Sequence, residues 1–266
     1  MQVWSIRSGS SGNCYLVREG ESLLLLEAGI GTRELAQEMA LLGIPLSRLS
    51  AVLASHEHVD HWRSAAHLAH RLQIPLVCTP GCWEAGGGDT ATSPLSPLKV
   101  GHSLRLGEIT VEAFSIPHDA REPIGFVLRS DAATVLLATD MGRMTDEVVE
   151  RALYADLVIL EANHDVEMLV RGPYPAFLKT RILGERGHLS NEDAARAIVR
   201  MSRGRPHDFW LAHLSQTNNS PKVALDCVLS MLRQEAVEGL KVSVALRERR
   251  SLAWDSRANL AQLPLF

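Results

Sequence analysis

The chain has 266 residues, enough for one large domain with a full hydrophobic core. Hydrophobic residues make up 46%, charged residues make up 22%, and the net charge of −4 excludes a general affinity for nucleic acid. The chain has no apolar run of membrane-spanning length, no signal-peptide pattern at its start and only four scattered cysteines. We therefore expect one domain over residues 1–266 in the reducing cytoplasm, with no membrane contact.

Short strands separated by glycine-rich turns are predicted at the start of the chain, at residues 1–7, 14–18 and 23–27. Residues 32–42 are predicted to form a helix, because Leu35, Met39 and Leu42 share one face and Thr32 can cap it. A buried strand at 49–54, a helix at 62–72 and a strand at 74–78 follow. Residues 86–97 are rich in Gly, Ser, Thr and Pro, which predicts a surface loop.

The second half repeats the pattern of strands followed by helices. Strands are predicted at 104–106, 109–116, 124–129, 133–138, 157–160, 209–214 and 241–246. Helices are predicted at 145–153, at 164–186 with breaks, at 191–200 behind a Ser190 cap, and at 221–232 with proline in the first turn. Two similar halves predict an α/β (α+β) protein with two mixed sheets face to face and helices outside. The tail, 253–266, is expected to dock on the core or to contact a partner.

The segment Ser55-His56-Glu57-His58-Val59-Asp60-His61 concentrates metal-ligand side chains in the pattern H-x-H-x-D-H. It directly follows the predicted strand 49–54, so we expect these side chains on a loop leaving that strand. On a helix, His56 and His58 would point about 200° apart, whereas a tight loop lets them converge on one ion. Imidazole nitrogen and carboxylate oxygen favour zinc or a similar divalent ion.

Three further ligand-type residues stand at the ends of predicted strands: His118, Asp140 and His213. We expect His56, His58 and His118 to hold one ion. Asp60, His61 and His213 would hold a second, and Asp140 would bridge the two. Two such ions, most simply zinc and alternatively manganese, lower the pKa of a bridging water and supply hydroxide at neutral pH. The pattern therefore predicts a hydrolytic site.

This ligand order resembles that of the metallo-β-lactamase superfamily. Other segments resemble its YycJ/WalJ subfamily, a bacterial branch related to ribonuclease Z: 7–14 (RSGSSGNC), 160–169 (LEANHDVEML), 172–175 (GPYP) with 186–192 (RGHLSNE), and 211–215 (LAHLS) with Asn218 and Asn219. The resemblance implies a four-layer αββα metallo-β-lactamase sandwich and the ligands named above. It also implies a metal-dependent exonuclease acting on DNA, in the setting of DNA repair.

Two departures from the family pattern concern the loop geometry. The third strand usually ends in Asp-Ala-Gly, but here Glu27-Ala28-Gly29 follows it, and the longer side chain can shift the brace on the ligand loop. The residues after the ligand segment usually include a glycine, but residues 62–65 are WRSA. Neither departure removes a ligand.

The resemblance also assigns catalytic and substrate residues. His188, just before a predicted helix, would contact the scissile phosphate or protonate the leaving oxygen, with a helix cap as the alternative role. Glu161 would orient His188 or a metal ligand, and Asp60 is placed with these two as catalytic. Candidate substrate contacts are Ser10, Ser11 and Asn13 in the first turn, together with His164 and Ser190.

A local basic strip with aromatic residues is the candidate DNA surface: Arg171, Tyr174, Phe177, Lys179, Arg181 and Arg186, extended by Arg196, Arg200, Arg203 and Arg205. It would bind the phosphate backbone without reading sequence, and a solvated helix face is the alternative interpretation. Two rival functions stay open: a ribonuclease or a thioester or lactone hydrolase on the same dinuclear site, and a metal-binding module without turnover. Ribonuclease Z carries a long arm for transfer RNA, and this sequence has no such insert. The sequence makes no prediction of oligomeric state.

Overall fold

The computed structural model describes residues 1–88, 95–204 and 208–260. The strands in these ranges are β1 (Gln2–Arg7), β2 (Cys14–Glu19), β3 (Ser22–Leu26), β4 (Ala51–Leu53), β5 (Leu76–Cys78), β6 (Leu95–Pro97), β7 (Ser103–Leu106), β8 (Ile109–Ser115), β9 (Ile124–Arg129), β10 (Thr134–Ala138), β11 (Leu157–Glu161), β12 (Asp208–Ala212), β13 (Lys241–Val244) and β14 (Leu252–Asp255). The α-helices are α1 (Thr32–Leu41), α2 (Val59–Trp62), α3 (Ala65–Leu72), α4 (Pro80–Ala85), α5 (Asp146–Ala152), α6 (Val166–Arg171), α7 (Ala176–Leu183), α8 (Asn191–Met201), α9 (Pro221–Gln234) and α10 (Ser256–Leu260). A 3₁₀ turn spans Leu46–Arg48.

The described strands form two seven-stranded sheets. Their orders are β14-β1-β2-β3-β4-β5-β6 and β13-β12-β11-β10-β9-β8-β7. In each sheet, antiparallel hairpins lead into parallel strands: β3 to β6 in the first and β10 to β13 in the second. The carboxyl ends of parallel strands in one sheet meet at the same edge, where loops can carry a site.

Three apolar clusters define the layers. The central cluster joins the inner faces of the two sheets and includes Val3, Leu24, Phe126, Ile159 and Trp210. A second cluster packs α5, α8 and α9 on the outside of the second sheet, and a third packs α1, α3 and α4 on the outside of the first. The four layers are therefore helices, sheet, sheet and helices, which confirms the predicted αββα sandwich. No helix in the described ranges is both long and apolar enough to cross a bilayer.

Local sequence explains most helix boundaries. Ser190 caps α8, because its Oγ accepts a hydrogen bond from Asp193 N at 3.1 Å. Residues Ala194, Ile198 and Met201 of that helix are buried at spacings of three and four, so one face packs on the sheet. The prediction that Thr32 caps α1 is wrong: Gly31 is the N-cap and makes no side-chain bond, and Thr32 is the first helical residue.

The predicted helix at 62–72 is split in two. It breaks at Ser64, whose Oγ donates to Ala28 O at 3.1 Å and to Ile30 O at 2.8 Å. A preceding turn, α2, already begins at Val59, so Asp60 and His61 lie in a helical turn rather than on the loop that we expected. The loop predicted at 86–97 ends in the short strand β6, and its residues 89–94 lie outside the described ranges.

The tail completes the first sheet. Strand β14 pairs antiparallel with β1 and places Trp254 opposite Val3. Trp254 is buried in the central cluster, and its Nε1 donates to Asp208 Oδ2 at 2.6 Å. Of the two roles predicted for the tail, the described part therefore docks on the core, while residues 261–266 lie outside the described ranges.

Candidate metal centre

Two segments hold the ligand loop, one between β1 and β2 and the other between β3 and α1. Asn13 N donates to Asp60 O at 2.7 Å, and Ala28 N donates to His61 O at 2.8 Å. Gly29 lies directly against the same backbone, since a Cβ there would stand 1.7 Å from Asp60 O. Only glycine permits this approach, so the Glu-Ala-Gly segment fixes the path of the ligand loop.

Three histidines form the first ligand group. His56, His58 and His118 each offer a ring nitrogen within 4.8 Å of the other two. His118 Nε2 lies 3.2 Å from His58 Nδ1. The remaining nitrogen of His56 lies 2.9 Å from Ser55 Oγ, and that of His118 lies 3.2 Å from Gly187 O. These outer contacts orient the rings, as is usual for histidines that bind metal.

Asp60, His61 and His213 form the second ligand group. Asp60 Oδ2 lies 3.3 Å from His213 Nε2 and 3.6 Å from His61 Nε2. Glu27 is fully buried behind them, with Oε2 3.1 Å from His61 Nδ1. The glutamate that replaces the usual aspartate thus still reaches the ligand loop, where it also accepts a hydrogen bond from Ser55 N at 3.3 Å.

Asp140 lies between the two groups. Its Oδ2 is 3.1 Å from His61 Nε2, and its Oδ1 is 3.8 Å from His118 Nε2. The backbone at Glu27, Asp140 and His213 is left-handed, with φ values of 61°, 62° and 55°. Such angles cost free energy in non-glycine residues and are typical of functional sites. Each of the three residues follows a strand, so these turns direct its side chain to the shared edge of the sheets.

The electrostatics of the centre reflect its crowded charges. Burial disfavours the charged form of Asp140, yet His213 and His61 hold the pKa of this carboxyl well below its usual range. Burial likewise opposes protonation of His213, but Asp140, Asp60 and Glu161 raise its pKa to about 10. Burial lowers the pKa of His56 well below normal, so this imidazole is neutral and able to bind a metal.

The residues fit divalent ions. His56 Nε2 and Asp140 Oδ2 are both buried, and neither makes a well-aligned hydrogen bond to a described residue, although His61 Nε2 lies 3.1 Å from Asp140 Oδ2. Buried polar atoms without partners are costly, and a bound ion would satisfy both. The donor set of histidine nitrogens and carboxylate oxygens suits zinc, and manganese accepts the same donor types.

Glu161 connects the centre to His188. Its Oε2 accepts hydrogen bonds from Met141 N at 2.7 Å and Leu189 N at 3.1 Å. Its Oε1 lies 2.8 Å from His188 Nδ1 and 2.9 Å from His213 Nδ1. Burial opposes ionisation of Glu161, but His188 and His213 lower its pKa to about 2. A fully buried carboxylate therefore orients both rings, while His188 stays 16% exposed at the cleft.

The turn between β1 and β2 contains both exposed and buried residues. Ser10 and Ser11 are exposed and make no side-chain hydrogen bond within the described ranges. Asn13 is buried, accepts from Gly9 N at 2.9 Å and places Nδ2 2.9 Å from His61 Nε2. The two serines are thus exposed at the surface, whereas Asn13 contacts His61, a candidate metal ligand.

The other two predicted substrate contacts are buried. His164 is 1% exposed, its ring nitrogens have no partner among the described residues, and burial lowers its pKa to about 4. Ser190 is occupied in capping α8 and also donates to Asp193 Oδ2 at 2.7 Å. Neither side chain can touch a substrate at the surface in this conformation.

Four of the eight basic residues in the predicted strip pair with carboxylates within the protein. Arg181 Nη2 donates to Asp119 Oδ1 at 3.0 Å, and Lys179 Nζ donates to Val170 O at 2.7 Å. Tyr174 is half-buried, and Arg186 is exposed without a partner in the described residues. Elsewhere in the strip, Arg171, Arg196 and Arg200 pair with carboxylates, and Arg205 lies outside the described ranges.

Sequence reasoning missed the residues that hold His213. Its backbone N donates to Ser8 Oγ at 2.8 Å, and Tyr15 Oη donates to the same oxygen at 2.8 Å. Asn163 Nδ2 donates to His213 O at 2.9 Å. Ser8 and Asn163 lie in segments that resemble the family, and this resemblance was the available signal that they belong to the site. Tyr15 has no such signal, because the sequence predicts only that it lies in a strand.

The comparisons with known proteins agree with this geometry. Residues 23–214 match the family model described as a beta-lactamase superfamily domain. The chain is 33% identical over 234 residues to exodeoxyribonuclease WalJ of Streptococcus pneumoniae, covering 86% of this chain and 87% of that protein. It is also 33% identical over 233 residues to exodeoxyribonuclease YycJ of Bacillus anthracis, covering 86% and 88%.

Solved structures share the fold at low identity. The metallo-beta-lactamase fold protein YhfI from Bacillus subtilis superposes with a TM-score of 0.71 at 18% identity, over 96% of this chain and 99% of that one. The short form of human tRNase Z gives a TM-score of 0.63 at 16% identity, over 96% and 99%. Together with the sequence matches, these findings show that the chain belongs to the metallo-β-lactamase superfamily and, within it, to the WalJ/YycJ family.

Proposed function

We propose that this protein is a metal-dependent nuclease that removes nucleotides from the ends of DNA. The observation that carries the proposal is the position of the His188–Glu161 pair beside seven ligand-type side chains at one edge of the two sheets. The names of the relatives WalJ and YycJ, both exodeoxyribonucleases, support DNA as the substrate and its ends as the point of attack.

Two divalent ions form part of the proposal. His56, His58 and His118 would hold one and Asp60, His61 and His213 the other, with Asp140 shared between them. Ions in such a site lower the pKa of water and neutralise charge on a phosphoryl group. The histidine-rich donor set favours zinc, with manganese as the alternative.

The chain itself supplies proton transfer and positioning. Glu161 holds Nδ1 of His188, which leaves Nε2 without a partner among the described residues and free to protonate the leaving oxygen. Glu161 touches no reacting atom and is therefore a positioning residue. Asp60 Oδ2 faces His61 and His213, so its Oδ1 is available to accept a hydrogen bond from the attacking water.

The proposal extends to the setting of the reaction. Contacts to the phosphate backbone alone would give hydrolysis without sequence preference. Cys14, Cys78, Cys82 and Cys227 are free thiols, which supports a reducing compartment such as the cytoplasm. Trimming of DNA ends is chemistry that repair intermediates require, so we include a role in DNA repair.

The proposal is tested by incubating zinc- or manganese-loaded protein with end-labelled linear DNA, closed circular DNA and RNA. We expect stepwise shortening of linear DNA and none of circular DNA. The Asp140→Ala variant, which lacks the shared carboxylate, is expected to be inactive. Cleavage of RNA alone, or of a thioester or lactone with no DNA cleavage, would contradict the proposal.

A further inference from the structure

A groove opens beside the candidate metal centre on the side of His118. It encloses about 620 Å³ and is formed by three loops, which follow β8, β10 and α7. His118 lines it directly, and the ring of His188 is centred 5.3 Å from that of His118. We name it the arginine groove and define it by His118, Arg121, Arg143, Glu185 and Arg186.

The three arginines of the groove are exposed, and their guanidinium groups have no partner within the described residues. This distinguishes them from the arginines of the neighbouring strip. Arg181, for example, is held by Asp119 through two hydrogen bonds. An arginine already paired with a carboxylate must give up that contact to bind a phosphate, whereas an unpaired one need not.

Carboxylates also line the groove, and most of them are occupied. Glu147 pairs with Arg151 at 2.9 Å, and Glu122 Oε2 accepts from Gly81 N at 2.8 Å. Glu185 alone of the lining glutamates has no partner among the described residues. Three arginines without a carboxylate partner therefore face two glutamates without a cationic partner, Glu122 and Glu185, so the groove carries a small excess of positive charge on a chain of net charge −4.

The packing of the loops holds these arginines on one surface. Gly142 N donates to Pro117 O at 3.0 Å, which fixes the loop of Arg143 to the loop that carries Arg121. A Cβ at Gly142 would stand 2.4 Å from Arg186 N, so the loop after α7, which carries Arg186, packs directly against the loop after β10, which carries Arg143. The sequence spacing reflects the arrangement, because Arg121 and Arg143 each follow a predicted ligand by three residues.

We propose that a nucleic-acid strand lies along the arginine groove and reaches the centre from the His118 side, with Arg121, Arg143 and Arg186 binding successive phosphates. The guanidinium fork matches phosphate oxygens and carries no base information, so the contact is independent of sequence. This inference rests on the proposed nuclease function and deepens it by naming the residues that bind the strand.

The test uses metal-loaded protein carrying R121Q, R143Q and R186Q together. A matched control carries R71Q, R105Q and R233Q, whose side chains are exposed and pair with no carboxylate among the described residues. Arg71 and Arg233 lie near the carboxyl ends of α3 and α9, each leading into the start of a strand, and Arg105 lies just before the turn between β7 and β8, so all three are at the edge opposite the centre. Both triple variants lose the same charge, so only position differs.

The readouts are KM and kcat for an oligonucleotide at several salt concentrations, and turnover of the small diester bis(4-nitrophenyl) phosphate. We expect KM for DNA to rise roughly tenfold or more in the groove variant, and the slope of log KM against log salt to fall by about 2, since each lost phosphate contact removes about 0.7. The small diester should be cleaved at the wild-type rate, the control should match wild type, and lysines at the three positions should restore the slope.

Two failures are distinguishable. If wild-type protein cleaves DNA and the groove variant keeps the wild-type KM and salt slope, the proposed DNA-binding role of the groove is refuted and the nuclease function stands. If wild-type protein with both ions bound cleaves no nucleic acid, the proposed function fails and this inference fails with it. The inference would also be overturned if the groove variant lost activity on the small diester by the same factor as activity on DNA, because the arginines would then act on the centre itself.

Discussion

Replacing Gly29 with alanine should displace the ligand loop. A Cβ at this position would lie 1.7 Å from Asp60 O and 2.7 Å from Asn13 N. Non-bonded atoms keep at least about 3.2 Å apart, so the backbone carrying Asp60 has to move by about 1.5 Å. The overlap and the loss of the hydrogen bond from Asn13 N should together cost about 3 kcal/mol.

For a chain of this size, a cost of this order lowers the melting temperature by about 10 °C. A ligand displaced by more than 1 Å should reduce kcat/KM on DNA by about 100-fold. The control is Gly31→Ala, two residues further on, where φ is −68° and a Cβ would meet nothing within 4 Å. Thermal unfolding, metal content and DNA hydrolysis are compared for the two variants. Wild-type values of all three for Gly29→Ala would refute the reasoning that residues 27–29 hold the ligand loop.

Three other variants probe separate features. Glu161→Gln keeps the size of the side chain but loses the charge that orients His188, so kcat should fall about 10- to 100-fold; equal kcat would contradict the positioning role. The melting temperature should fall as well, because the amide nitrogen leaves a buried hydrogen bond unmade. His164 has a pKa of about 4, below its ordinary value of about 6.5, so the unfolded chain takes up the proton first and stability is lost as pH falls from about 6.5 towards 4. His164→Asn should remove about 2 kcal/mol of that loss between pH 7 and pH 5, measured by denaturant unfolding of metal-free protein at the two pH values; identical pH dependence in both proteins would be the opposing result. Trp254→Phe removes the bond to Asp208 at the start of β12, away from the centre, and should cost about 2 kcal/mol in urea unfolding without changing metal content or kcat; a loss of metal would count against this separation.

The clustering of the candidate ligands was predictable because each of its parts is local in sequence. An apolar strand followed within three residues by a histidine or aspartate places that side chain at a sheet edge, and this holds for His56, His118, Asp140 and His213. Parallel strands then bring their carboxyl ends together, so local patterns suffice to predict a shared site.

Contacts between distant segments were not predictable in the same way. From the sequence alone Arg181 is predicted to be a free cation. In the fold it pairs with Asp119, which lies 62 residues earlier in the chain. The pairing of β14 with β1 joins residues some 250 positions apart, and no local pattern indicates it. The helical turn at Asp60 was missed for a related reason, because the backbone of Asp60 and His61 accepts hydrogen bonds from Asn13 N and Ala28 N, which are distant in sequence.

The most direct test of the central claim is a titration of metal-free protein with zinc or manganese, with bound ions and DNA hydrolysis measured at each step. The two ligand groups around Asp140 predict that two ions bind per chain and that hydrolysis rises with the second. Full hydrolysis with one ion or none, or saturation at a single ion in protein that remains folded, would contradict the dinuclear centre.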